Sequence, residues 1–131
     1  MLNSYSEAVT HGVHVRVESR YVKDQSKPSA GIYVFSYKIT ITNQSDQVVH
    51  LQSRHWIITD AKHHIEEVHG AGVVGETPVL EPEETFSYES GCMLKTPYGT
   101  MQGSYQMITP DGDPFDVEIA PFLLCVPYSI N

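Results

Sequence analysis

Residues 33–41 read "YVFSYKITI". Tyr33, Phe35, Tyr37, Ile39 and Ile41 occupy every second position, with Val34, Ser36, Lys38 and Thr40 between them. That is the period of a strand with one face in a core and one in water. At about 1.5–3 kcal/mol for each large apolar side chain, burying this face contributes on the order of 10 kcal/mol before entropy is counted. The same period recurs on either side. Upstream, Val13, Val15 and Val17 alternate with His14, Arg16 and Glu18. Downstream, "NQSDQ" (43–47) is a polar turn, and "VVHLQSRHWIITD" (48–60) is β-rich but changes phase. Its first half buries Val49 and Leu51. Its second half buries either Trp56 and Ile58 or His55 and Ile57, and a bulge near Gln52 to Arg54 reconciles the first pair.

In "DAKHHIEEV" (60–68) Asp60 has the place of a helix cap, yet the segment reads better as a hairpin turn followed by a short strand. "TFSYESG" (85–91) puts Phe86 and Tyr88 on one face, and "TMQGSYQMIT" (100–109) groups Met101, Tyr105 and Met107. "PDGD" (110–113) has the residues of a tight reversal, after which Phe115, Val117 and Ile119 alternate with acids. Seven or eight strands with turns between them and no convincing helix predict an all-β protein, an antiparallel sandwich. The 131 residues form one domain, with 1–10 a flexible or edge-pairing segment.

Sixteen acids against eight Lys and Arg give a formal charge of −8, which argues against nucleic acid or an anionic membrane as a principal partner. The start "MLNSYSEAVT" has neither a basic nor an apolar run, and two cysteines, Cys92 and Cys125, make no disulfide framework. The cytosol is the expected compartment. The nearest approach to a membrane span, "APFLLCVPYSI" (120–130), is short and broken by Pro127.

Gly70, Gly72 and Gly75 in "HGAGVVGETPVL" (69–80) have the spacing G-x-G-x-x-G. A phosphate cradle of that type needs a helix after the glycines, whereas here Pro78 and Pro82 follow. Seven acids and no Lys or Arg lie between residues 63 and 94, so a polyphosphate meets repulsion unless Lys62, Lys95 or Arg54 folds over it. A loop shaped by positive φ or close packing, a phosphate site and a protein-docking loop all stay open.

Seven histidines raise the question of a metal. Within one strand the pairs 11/14 and 50/55 point to opposite faces, leaving His63 with His64 on a turn, or with His69 across a hairpin. No cysteine or carboxylate completes a tetrahedral set at a familiar spacing, and no resident metal is predicted. Asp111, Asp113 and Asp116 read as turn formers more readily than as Mg²⁺ ligands. Neither Cys92 nor Ser104 sits in a nucleophile elbow, and nothing in the chain orients a histidine toward them. Trp56 reads as a core residue, and Arg54 either as an interface or anion-binding residue or as half of a surface ion pair.

Four stretches, "SRHWIITD", "EEVHGAGVVGETPVLEP", "FSYESGCMLKTPYGTMQGSYQM" and "PFDVEIAPFLL", together resemble the ApaG family over most of the chain. The resemblance implies a small cytoplasmic bacterial protein of fibronectin type III-like or immunoglobulin-like fold. It implies a link to cobalt and magnesium efflux, and protein-binding roles for similar domains in eukaryotic proteins. It brings no agreed enzymatic activity. Two turns depart from the family pattern: "KHH" follows "ITDA" where relatives often carry a glycine, and Glu83 stands in the glycine's place in "PEE". The expected function is a non-catalytic interaction module without a cofactor, docking an unidentified protein partner through the glycine loop and its acidic surroundings. The alternative is a binder of pyrophosphate or a dinucleoside polyphosphate on the loop amides. Candidate binding residues are Arg54, Gly70, Gly72, Gly75, Glu76 and Lys95, and sheet edges offer a route to a homodimer.

Overall fold

In the computed structural model, which describes residues 2–127, the strand read first is β3 (Tyr33–Asn43), and Phe35, Tyr37, Ile39 and Ile41 are all buried. On one side it pairs with β2 (Val13–Tyr21), whose Val13, Val15 and Val17 enter the same core. On the other it pairs with β7 (Thr85–Leu94). An edge strand, β1 (Tyr5–Thr10), completes the order β1-β2-β3-β7.

The second sheet runs β5 (Ile65–Ala71), β4 (Val49–Asp60), β8 (Tyr98–Ile108), β9 (Pro114–Cys125). The two-residue β6 (Val79–Leu80) adds to β4 beyond the end of β5. Every pairing is antiparallel. The two sheets make a fibronectin type III-like sandwich, with Trp56 of β4 between the inner faces, against Tyr37 (5.4 Å between ring centroids) and Phe122 (6.0 Å). Among residues 2–126 the only helical pieces are 3₁₀ turns at Lys23–Gln25 and Pro28–Ala30. No helix there is long and apolar enough to cross a membrane, and residues 128–130 of the apolar run lie outside the described residues.

The phase change in β4 is a bulge. Between Leu51 and Ser53 the register with β8 slips by one residue, and Trp56 and Ile58 turn inward. A second slip lies between β8 and β9. Ala120 and Pro121 together face a single residue of β8, and burial moves from Val117 and Ile119 to Phe122, Leu124 and Val126. A proline has no ladder N–H to lose, so the bulge is where β9 tolerates one.

β9 also lies along β1. The amide of Leu123 donates to Asn3 O (2.7 Å), Ser6 Oγ donates to Ala120 O (2.9 Å), and Ser19 Oγ donates to Leu123 O (2.7 Å). These bonds close one side of the sandwich. Buried Asn43 pins the β3–β4 turn to β6, donating from Nδ2 to Gln47 O (2.7 Å) and Leu80 O (2.9 Å).

Both turns that depart from the family pattern use left-handed backbone. His63 has φ 65° and Glu83 has φ 74°. In the first, Asp60 does act as a cap, but of the turn: Oδ1 accepts from the amides of Lys62 and His64. Partial desolvation opposes ionisation of Asp60, and these two bonds outweigh it, so its carboxyl is held below the usual range.

Candidate functional site

β5 and β6 pair with the same strand, and the glycine stretch is the excursion between them. Both ends of the excursion are tied at the β4 bulge: the amide of Gly72 donates to Gln52 O (2.9 Å), and the amide of Leu51 donates to Pro78 O (3.0 Å). Within the lobe Val73 and Glu76 exchange two N–H···O bonds of 2.8 Å. Between them Val74 (φ 41°) and Gly75 (φ 82°) form a two-residue turn with positive φ at both positions. Val73 is buried in the core, and Val74, Gly75 and Glu76 are exposed at the tip.

Each glycine of the triplet has its own reason. Gly75 supplies the turn's second positive φ, and Gly72 (φ 60°) leaves space, since a Cβ there would lie 2.3 Å from Glu76 O. Gly70 faces Arg54 across the β4–β5 ladder, and a Cβ on it would lie 2.8 Å from Cζ and both Nη atoms of the guanidinium. The arginine therefore lies over the glycine, and Nη1 donates to the carbonyls of Ala71 (3.0 Å) and Gly72 (2.8 Å). Among the described residues no carboxylate pairs with Arg54, so the surface ion pair open in the sequence is not what it forms.

Behind this clamp lies a phenol cluster. Tyr88 and Tyr105 share a buried O–H···O bond of 2.5 Å. Burial pushes the hydroxyls of Tyr37, Tyr88 and Tyr105 above the ordinary tyrosine range, with the Arg54 charge a smaller opposing influence. Arg54 is a half-buried cation serving the loop's carbonyls.

The structure brings Arg54, Gly70, Gly72, Gly75 and Glu76 into one lobe and leaves Lys95 out. Lys95 adjoins Thr96, whose Oγ1 accepts from the amide of Ala61 at the far end of β4. From Gln52 to Ala61 is about 30 Å at about 3.3 Å per residue. The amides of Gly72, Val73 and Glu76 all donate within the chain, and no helix begins after Gly75. The half-buried Cys92 thiol is pushed up to about 11 by burial first and by the Glu66 charge second, far from an activated nucleophile.

Two juxtapositions escaped the sequence reading, because both depend on which strand pairs with which. Ser104 stands across from His55 in the β4–β8 ladder, although no hydrogen bond joins them; its Oγ accepts from Gln106 and His55 turns to Glu67. His69 stands across from His55 in the β4–β5 ladder, whereas His63 sits on the turn beyond Asp60. Among the described residues no set of three ligating side chains gathers around His63 and His64 or around Asp111, Asp113 and Asp116.

Known proteins match the chain end to end. Protein ApaG of Thiobacillus denitrificans is 52% identical over 122 residues, covering 93% of this chain and 96% of that one. Protein ApaG of Bordetella pertussis is 47% identical over 131 residues, covering all of both. The crystal structure of the putative ApaA protein from Bordetella pertussis superposes with a TM-score of 0.86 at 47% identity, over 97% of this chain and 98% of that one. The sequence pattern of the ApaG domain matches residues 23–109, and with relatives this similar over this length the chain belongs to the ApaG domain family.

Proposed function

We propose that this protein is a non-catalytic interaction module that docks a partner protein on the tip of the glycine lobe. Its bearing on divalent cation homeostasis, which the family resemblance implies, runs through that partner. The observation that carries this reading is an anchored lobe with an apolar tip: Val74 is 53% exposed on a turn tied to β4 at both ends. A β-branched residue at positive φ costs on the order of 1–3 kcal/mol, and such strain concentrates at functional positions. A tip held this firmly loses little entropy on docking. The acids from Glu66 to Glu89, with no Lys or Arg among them, favour a cationic rim on the partner. Because three of the loop's amides are occupied, the same geometry weighs for protein docking over pyrophosphate.

The test is a photo-crosslinking residue at Val74, with the same residue at exposed Val9 on β1 as control, in cells producing the protein. A partner captured at 74 is then purified and its affinity for wild type and for Val74→Asp measured by calorimetry. Capture at 74 and not at 9, with at least tenfold weaker binding by Val74→Asp, is the expected result. Identical capture from both positions, or unchanged affinity in Val74→Asp, overturns the proposal.

A further inference from the structure

On the outer face of the second sheet three ligating side chains converge. The rings of His55 and His69 stack with centroids 4.1 Å apart and planes 9° from parallel. Glu67, two residues before His69 and so on the same face of β5, places Oε1 2.8 Å from His55 Nε2. One ligand atom from each of the three lies within 4.8 Å of the others, and among the described residues no other trio does so. We infer that His55, Glu67 and His69 form a surface site for a divalent first-row transition cation of the zinc class, with water in the remaining positions.

The donor set selects the class. Two imidazole nitrogens and one carboxylate oxygen suit Zn²⁺, Ni²⁺ or Cu²⁺, and two imidazole nitrogens are poor ligands for Mg²⁺ and Ca²⁺, which take oxygen. Three protein ligands on a surface leave an open position, as in sites that exchange their metal or share it. Ligand bonds of about 2.0–2.1 Å bring tetrahedral donor atoms to roughly 3.3 Å from one another, so the trio must tighten slightly.

The backbone need not move, because β4 and β5 are paired on both sides of these residues. The side chains must. An ion lies in the plane of each imidazole that binds it, and two parallel rings share no such point. His69 is exposed and free to turn out of the stack. His55 gives up its bond to Glu67, its Nε2 proton moves to Nδ1, and Nε2 takes the metal. Glu66 adds a negative charge on β5, and the nearest cation, Arg54 beside His55, has its guanidinium engaged by the carbonyls of Ala71 and Gly72.

The test uses full-length protein stripped with a chelator and titrated with ZnCl₂ by calorimetry and by NMR of the imidazole nitrogens. We expect one zinc per chain, shifts at His55 and His69 first, affinity at least tenfold weaker in His55→Ala and in His69→Ala, and a smaller loss in Glu67→Gln. His14→Ala should bind as wild type, since it removes the other histidine–glutamate contact on a sheet, that of His14 with Glu7. Millimolar MgCl₂ should not displace the zinc. The three side chains are exposed or half-exposed, and a matching thermal melt establishes that each variant folds. Zinc shifts centred on His63 and His64, affinity unchanged in His69→Ala, or displacement by Mg²⁺ would overturn the assignment.

Discussion

Replacing Glu83 by glycine should stabilise this protein, although it removes a side chain and adds nothing. Glu81 to Glu84 form a turn closed by the amide of Glu84 donating to Glu81 O (2.9 Å), with Pro82 second and Glu83 third at φ 74°. That third position belongs to glycine in a turn of this shape. Holding an L-residue there costs roughly 1–2 kcal/mol, and glycine's extra freedom in the unfolded chain returns about 0.5–1 of it. The net gain is on the order of 0.5–1 kcal/mol. With an unfolding entropy of about 2.1 cal/mol/K per residue, that raises Tm by roughly 2–4 °C for a chain of this size. The amide of Glu83, which donates to Asn43 O (2.6 Å), is backbone and survives the change. Because Glu81 and Glu84 flank the site, part of any gain could be relief of charge, worth a few tenths of a kcal/mol between exposed groups. Glu83→Gln isolates that part and should move Tm by less than about 1 °C. Calorimetric melts of the three proteins decide the matter. If the glutamine variant gains as much as the glycine variant, or the glycine variant gains nothing, the backbone argument is refuted.

Gly70→Ala should cost about 1–3 kcal/mol in urea denaturation by pushing the guanidinium off the loop carbonyls, and much less in an Arg54→Ala background, a coupling that a double-mutant cycle measures. Tyr37, Tyr88 and Tyr105 keep their protons in the fold beyond the pH at which the unfolded chain loses them. Stability should therefore be intact below about pH 10 and fall above it, with a limiting slope of about 4 kcal/mol per pH unit that Tyr88→Phe combined with Tyr105→Phe reduces. The Tyr88→Phe change alone strands a buried hydroxyl and should cost about 1–3 kcal/mol near neutral pH. Iodoacetamide at pH 8 should alkylate Cys92 about two orders of magnitude more slowly in the folded protein than in urea, as followed by intact mass.

What the sequence made legible were features of period and local turn chemistry. The alternation of β3, the bulge near Gln52 and the reversal around Gly112 each leave a mark within a few residues. What stayed hidden depends on strands meeting from far apart. A parity test on a single strand sends His50 and His55 to opposite faces, whereas the bulge between Leu51 and Ser53 returns both to the outer face, beside buried Val49, Leu51 and Trp56. Nor can that test see that His55 will meet His69, because that meeting is a property of the β4–β5 register. Arg54 is a similar case: its clamp on the loop exists only because Gly70 lies opposite it. Around Pro121 the sequence carried a hint, since a proline amid strand-like residues indicates an edge or a bulge, but the apolar run hid the change of phase.

The bonds from Asn3 and Ser6 to Leu123 and Ala120 join segments more than a hundred residues apart. A growing polypeptide cannot form that seam until β9 has emerged from the ribosome, so β1, already able to pair with β2, waits with its outer edge uncovered. Non-local pairing of this kind places the fold among the slower small domains, in the millisecond-to-second range. An uncovered strand edge of that kind is an aggregation hazard until the seam closes.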